Sequence, residues 1–397
     1  LFNQLVINHP ENEYADDALY EQAGIAFEKD QSEESLIYLN KLIDFYPESP
    51  LRIRALKMMA DNLINLKNYS LALETLNKIT QPSADLKAEI VFKRGWCAFQ
   101  LSEFSYATQM FQIYLQEFPQ GAFIADALYW LGESYYNDGK YEDALQNYGM
   151  FLKQYPKHEY ASDAKYGIAW CYYQLNRYSE AVRGFSELAR ISDKPMHKAD
   201  AYLRKGDAYF AQKKYDDALL SYQQYLQNFP EGQEREWALF QMGMCYLKQE
   251  KFTAARTQLQ KLLQDTRKGE YDENAKYLIA RGYFMENDFD RAIAHYKEFV
   301  QTYPQSELLP RIYYEIGDAF YNKRDFRAAM IWYEDVIKKF PDSPIAGEAI
   351  NGLQWSAMQM GQVEQAFKVA DQYIQKNPES QLSQELLLRR GDFYFGM

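Results

Sequence analysis

The chain has 397 residues, 47% apolar and 25% charged, enough apolar content to bury a core and too much for a disordered polymer. Its 19 glycines and 13 prolines are too few for a collagen-like or linker-type sequence, and a formal charge of −12 opposes binding to nucleic-acid phosphates. No apolar run approaches the roughly 18 residues of a membrane-spanning helix, and the 35 tyrosines point to a position that repeats.

In chain order, residues 1–9 read as the tail of a second helix, because LVINHPENEYADDALY aligns with FLKQYPKHEYASDAKY farther along. An anchor residue, small in all but one case, then recurs at Gly24, Ala60, Gly95, Gly132, Ala169, Gly206, Gly243, Ala280, Gly317, Gln354 and Gly391. The first two steps are 36 and 35 residues and every later one is 37. Twelve residues past the anchors stand Leu36, Ala72, Ala107, Ala144, Ala181, Ala218, Ala255, Ala292, Ala329 and Ala366. Rings recur three places after the anchor (Tyr135, Tyr172, Tyr209) and nine places after it (Tyr141, Tyr178, Tyr215). Apolar residues at −4, −1 and +3, such as Leu128, Leu131 and Tyr135, have a helical period. A polar turn such as NDGK leads into a second periodic stretch through Ala144, Tyr148, Phe151 and Leu152. Each unit is thus predicted to be two antiparallel helices that approach most closely at the small residues.

Proline closes the second helix at Pro119, Pro156, Pro230, Pro304, Pro341 and Pro378, with Pro47 and Pro82 near register. Two residues later Ser49, Ser306, Ser343 or Ser380 is expected to cap the next helix, with Pro50 and Pro344 at its first position. Three junctions, 81–88, 190–199 and 264–275, lack this punctuation and are expected to change the pitch or receive a partner. Residues 385–397 read as a first helix without its second, so the sequence is expected to be a window on a longer array.

Cys97, Cys171 and Cys245 each follow an anchor by two residues, a small buried position, and successive ones lie two full units apart, too far for a bridge. His9, His158, His197 and His295 have no second ligand at helical spacing, and the phosphate-loop, nucleophile-elbow and zinc-protease motifs do not occur. No enzymatic chemistry, cofactor or metal is expected. Acid pairs such as Glu142/Asp143 and Asp216/Asp217 read as solvated helix starts.

The order small-x-x-aromatic, aromatic-x-x-Ala, Pro resembles the tetratricopeptide repeat (TPR) family. Residues 127–144, ALYWLGESYYNDGKYEDA, match its consensus almost throughout, with Leu128 where the family usually has Trp. The family unit is 34 residues and this one 37, the extra three being expected to lengthen the first helix by about one turn. That longer unit, with junctions such as YPKHEYASDA and FPDSPIAGEA, is similar to the bacterial envelope subgroup: the TPR lipoprotein of the outer-membrane barrel assembly machine and the Tol-Pal-associated TPR protein. The resemblance implies an all-α fold, a right-handed TPR superhelix or α-solenoid of about ten helix-turn-helix units, forming one continuous array over 1–397. It implies a non-catalytic scaffold binding partner proteins or extended peptides, in the periplasm or at the outer membrane. A saccharide-binding module and a cytoplasmic adaptor are the alternatives, and a signal peptide or lipobox cysteine in the full gene separates the latter.

In the family, ligands meet the concave face at positions equivalent to −3, +1, +4 and +5 from the anchor. Carried over, the partner-binding residues are Tyr129, Tyr166, Tyr277 and Tyr314 at −3, Trp96, Glu133, Trp170, Asp207 and Asp318 at +1, Tyr136, Tyr173, Phe210 and Tyr321 at +4, and Asn137, Gln174 and Asn322 at +5. Trp355 and Asp61 also occupy +1. The rings suit an extended segment and the acids a basic one. The carboxylate clamp for chaperone tails is missing, since Lys57 is the one base at −3 and its +1 partner is Asp61. Nucleic acid and direct membrane insertion are not expected, and Glu133→Lys is expected to leave the melting temperature almost unchanged.

Overall fold

The small anchor residues have a direct physical role. Tyr148 is 1% exposed and lies against two first helices at once: a Cβ on Gly132 would sit 2.8 Å from its Cδ1, and one on Gly167 would sit 2.7 Å from its Cζ. Tyr333 is wedged in the same way, 2.6 Å from a Cβ on Gly317 and 2.5 Å from one on Gly352. The side chain sixteen residues past these glycine anchors therefore enters a slot that exists because glycine lacks a side chain. Phe111 and Leu259 take the same place beside Gly95 and Gly243.

The computed structural model describes residues 11–265 and 269–380, together with residues 6, 383–384 and 387–388. Apart from those isolated residues, the helix remnants expected at 1–9 and 385–397 lie outside the described residues. Among these residues are twenty α-helices and no strand. In chain order they are α1 (Ala15–Glu28), α2 (Ser32–Phe45), α3 (Arg52–Asn65), α4 (Tyr69–Asn77), α5 (Ala84–Gln100), α6 (Phe104–Glu117), α7 (Ile124–Asn137), α8 (Tyr141–Gln154), α9 (Ala161–Gln174) and α10 (Tyr178–Ile191). They continue as α11 (Pro195–Ala211), α12 (Tyr215–Asn228), α13 (Arg235–Lys248), α14 (Phe252–Asp265), α15 (Asp272–Met285), α16 (Phe289–Thr302), α17 (Leu309–Asn322), α18 (Phe326–Lys339), α19 (Ala346–Gln359) and α20 (Val363–Lys376). Odd-numbered helices are the first helices of the repeats and even-numbered ones the second.

The chain forms two compact units, Leu1–Ala208 and Tyr209–Met397. Within each, a helix packs mainly on its neighbours in sequence, and first helices also meet the next first helix, as α7 meets α9 and α17 meets α19. This is the α-solenoid pattern, in which each repeat buries its apolar face on the next. The alanines from Ala72 to Ala329 twelve past the anchor are all 0% exposed, and so are Cys97, Cys171 and Cys245. Burial pushes the Cys97 and Cys171 thiols up to about 12, so they remain inert thiols.

Every first helix ends on a left-handed residue before the turn to its partner. Gly139 and Gly361 fill that place in two repeats, while Lys67, Ser102, Asn176, Lys213, Glu250, Asn287 and Arg324 hold φ between 57 and 64° in others. The geometry is fixed by paired bonds such as Asn176 N–H to Tyr173 O and Arg177 N–H to Tyr172 O, a Schellman-type closure.

The junctions correct two expectations. The serines do not cap the first helices, which begin at Arg52, Leu309 and Ala346, three residues past Ser49, Ser306 and Ser343, and Pro50 and Pro344 lie in the turn. The hydroxyl instead closes a local turn: Ser49 Oγ accepts the Leu51 N–H at 3.1 Å, and Ser306 Oγ accepts the Leu308 N–H at 3.0 Å. Where serine is replaced, another group serves the same N–H: Tyr114 Oη accepts from Phe123 (2.8 Å), Tyr225 Oη from Glu234 (3.1 Å) and His158 Nδ1 from Tyr160 (3.3 Å). The three extra residues of the repeat occupy this turn rather than lengthening the first helix, which keeps 14 residues as in α7 and α9. Proline bars its neighbours from continuing the helix there. First helices of 17 residues occur at α5 and α11, where the regular junction is missing.

Because Ala144 has no free volume, Ala144→Leu should force apart its helix pair and cost about 1–3 kcal/mol, read as a lowered denaturation midpoint.

Candidate partner-binding face

The +4 rings share one local geometry. Each meets the ring at +9 edge to face across the inter-helix turn: Tyr136 with Tyr141 at 5.5 Å, Tyr173 with Tyr178 at 5.5 Å, Phe210 with Tyr215 at 5.4 Å and Tyr321 with Phe326 at 5.3 Å. One edge of each ring stays partly exposed, so these four combine a packing role with an accessible apolar surface. The amides beside them are exposed: Asn137 Nδ2 donates to the Glu133 carbonyl (2.9 Å), Asn322 Nδ2 donates to the Asp318 carbonyl (2.8 Å), and Gln174 hydrogen-bonds Tyr136.

The −3 and +1 positions depart from expectation. Tyr129, Tyr277 and Asp207 are 7%, 8% and 9% exposed, leaving almost no surface for a partner. Tyr129 stacks on Tyr160 at 4.4 Å, and Tyr277 donates its hydroxyl to Glu315 at 2.9 Å. Glu315, 8% exposed, also accepts the Tyr296 hydroxyl, so one buried carboxylate joins tyrosines of the preceding repeat. Asp207 accepts from Arg204 at 2.7 Å. Tyr166 donates to Asp200 at 2.7 Å under a parallel His197 ring, and Trp96 packs edge-on against Tyr69 at 5.4 Å.

Two of the +1 acids are partners of the wedge tyrosines. Tyr148 donates to Glu133 at 2.6 Å, and Tyr333 donates to Asp318 at 2.6 Å. The relation is legible in sequence once known: acid at +1 accompanies Tyr at +16 in the repeats of Gly132, Gly206 and Gly317, whereas Trp at +1 accompanies Phe at +16 in those of Gly95 and Ala169. Trp170 indeed lies edge-on to Phe185 at 5.8 Å. Burial raises the Glu133 carboxyl, against its tyrosine hydrogen bonds, and raises Asp318 to about 6. The expectation of a neutral Glu133→Lys change is therefore overturned, because lysine cannot accept the Tyr148 proton.

One cleft brings predicted residues together. About 380 Å³ in volume, it lies between α17 and α19 and is lined by Tyr314, Asp318, Tyr321, Tyr333, Glu348, Asn351, Gly352 and Trp355. Trp355 is 59% exposed.

Among the described residues, Asp126, His158 and Glu159 also bring three potential ligand atoms within 4.8 Å. Reading along single helices missed this group because it spans two repeats. His158 occupies the junction place that serine holds elsewhere, and Ser49 and Ser306 donate to the first-turn acids Asp16 (2.6 Å) and Glu273 of the preceding repeat. The group thus matches the staple that joins successive repeats.

Two outcomes test this arrangement. Glu133→Lys should lower stability by about 2 kcal/mol by orphaning a buried hydroxyl, with Glu133→Gln closer to wild type, as chemical denaturation will measure. Asp318 binds its proton more tightly when folded, so its contribution is full below the unfolded carboxylate range and is lost as pH rises through about 6. Between pH 7 and 4 the stability of wild type relative to Asp318→Asn should therefore rise, by at most about 3 kcal/mol.

The tetratricopeptide repeat family model matches residues 17–49, 126–158, 163–191 and 200–232, and a second tetratricopeptide repeat model matches 310–342. Residues 238–325 match the model of the outer membrane lipoprotein family YfiO. No curated protein sequence matches the chain. Among solved structures, a tetratricopeptide repeat protein from Parabacteroides merdae ATCC 43184 is 16% identical over 67% of this chain and 98% of its own, with a TM-score of 0.45. The apo form of RapI is 17% identical over 81% of this chain and 96% of its own, with a TM-score of 0.48. Among the described residues, no helix is long and apolar enough to cross a membrane. The chain thus carries tetratricopeptide repeats at five matched segments, in agreement with its repeat register and paired helices.

Proposed function

We propose that the chain is a non-catalytic scaffold that binds partner proteins through the first-helix face, in the assembly of a complex of the bacterial cell envelope. The observation that carries the reading is the half-exposed +4 ring repeated in each unit, Tyr136 and Tyr173 in the first and Phe210 and Tyr321 in the second, each fixed by its +9 neighbour and flanked by an exposed amide where Asn137, Gln174 and Asn322 stand. Rigid aromatic edges next to hydrogen-bonding amides match what an extended peptide needs: apolar anchors and main-chain partners at little entropic cost. The envelope setting is supported by the match of residues 238–325 to the outer membrane lipoprotein family. The unbroken 37-residue register from Gly95 onward supports one continuous array. The buried Tyr129, Tyr277 and Asp207 have no part in the contact surface, and the exposed Trp355 joins it.

A photo-crosslinking residue at Tyr136 or Tyr173, with Glu180 on a second helix as control, tests this in envelope extract of the source organism. A defined protein captured from both first-helix positions and not from the control is the expected result. Capture of glycan alone would favour a saccharide-binding module, and protein captured equally at Glu180 would move the binding surface to the second helices.

A further inference from the structure

Two places in the molecule carry nearly the same set of side chains, and one of them holds a cation supplied by the chain itself. In the first unit, the Arg204 guanidinium lies over the Trp170 ring, 5.3 Å from its centroid. Asp200 Oδ1 accepts its Nε–H at 3.0 Å and Asp207 Oδ2 an Nη–H at 2.7 Å. Tyr166 and Tyr173, at −3 and +4, flank the tryptophan with ring centroids at 6.2 and 5.6 Å. The arrangement is a complete guanidinium cage of indole face, two carboxylates and two phenols.

The cleft between α17 and α19 repeats this composition at the same register. Tyr314 and Tyr321 stand at −3 and +4, Glu348 stands six before the next anchor as Asp200 does, and the +1 positions carry Asp318 and Trp355, the acid and tryptophan exchanged between them. The difference is at the residue two before the next anchor: Arg204 in the first cage, Gly352 here. No side chain from that position enters the cleft. The Trp355 ring is 59% exposed, and Glu348, half-exposed, has a 3.8 Å pair with Arg311 at the rim.

We propose that this cleft receives an arginine side chain from an extended segment of a partner protein, its guanidinium taking the place that Arg204 fills in the first unit. The occupant is chosen by charge and shape: two acids and an unstacked indole face favour a planar cation, and the chain's own solution to the same set is arginine. This inference rests on the scaffold reading and supplies the partner's chemistry at one position of it.

The full chain labelled with 15N-tryptophan gives six indole resonances, and Trp355→Phe assigns the one that matters. The probes are the acetylated, amidated pentapeptide Gly-Ser-Arg-Ser-Gly and its citrulline and lysine counterparts. The arginine peptide should shift the Trp355 resonance saturably, the citrulline peptide should not, the lysine peptide should bind more weakly, and Glu348→Gln should weaken arginine binding by about tenfold. Because Glu348 is exposed, that variant should keep the wild-type melting temperature. An equal shift by citrulline, a lysine peptide binding as tightly as arginine, no shift at Trp355, or unchanged affinity in Glu348→Gln overturns the proposal. Loss of peptide binding with first-helix crosslinking intact refutes the cage alone. Peptide binding without any first-helix capture refutes the scaffold alone.

Discussion

The structure depends on a side chain driven between two first helices where no Cβ stands in its way. Tyr148 between Gly132 and Gly167, and Tyr333 between Gly317 and Gly352, each close three helices onto one another through a single ring. Burying a ring this large is a sizeable apolar gain for each of these two repeats. For Tyr148 and Tyr333 glycine forms both walls, whereas Phe111 and Leu259 have glycine at the anchor wall alone.

Burial of a tyrosine also buries a hydroxyl, and a buried hydroxyl must find a partner. At Tyr114 and Tyr225 the hydroxyl meets a junction N–H, and elsewhere the chain supplies a carboxylate in one of two ways. It places a carboxylate one residue past the anchor, as Glu133 and Asp318 do for Tyr148 and Tyr333, or reaches into the next repeat, as Glu315 does for Tyr277 and Tyr296. Where the wedge is Phe185, no acceptor is required, and Trp170 takes the site. Glu133, Asp318 and Glu315 therefore answer the chain's own phenols before any partner's charge.

The repeat length, helix pairing and buried alanines were legible because each is a periodic signal written about ten times over. The proline stops were legible for the same reason. The helix starts were not, because Ser49 and Ser306 have the composition of a helix cap but serve a turn whose N–H is equally served by Tyr114 or His158. The candidate face was half legible. Family registers located Tyr136, Tyr173, Tyr321 and the exposed amides, yet treated Glu133 and Tyr129 as free because the residues that engage them, Tyr148 on the next helix and Tyr160 in the following junction, are 15 and 31 places away. The +1 and +16 positions show the first pairing in the repeats of Gly132, Gly206 and Gly317, while Asp61 with Leu76 and Arg281 with Tyr296 depart from it.

That correlation bears on how a repetitive chain becomes specific. A repeat satisfied entirely from within, such as the one where Arg204 covers Trp170 and neutralises Asp200 and Asp207, offers a partner little unfulfilled chemistry. With Gly352 in place of the internal cation, the corresponding acids and indole lack that guanidinium, Asp318 meeting Tyr333 and Glu348 meeting Arg311 at 3.8 Å, and the glycine is at once compelled by the Tyr333 wedge, which allows no Cβ there. The packing rule that stabilises the helix pair thus also opens the cleft. Tyr148, Gly167 and Trp170 repeat the combination of Tyr333, Gly352 and Trp355, but there Arg204 of the following repeat covers the indole, so the cleft differs by the absence of that covering cation as well as by its glycine wall.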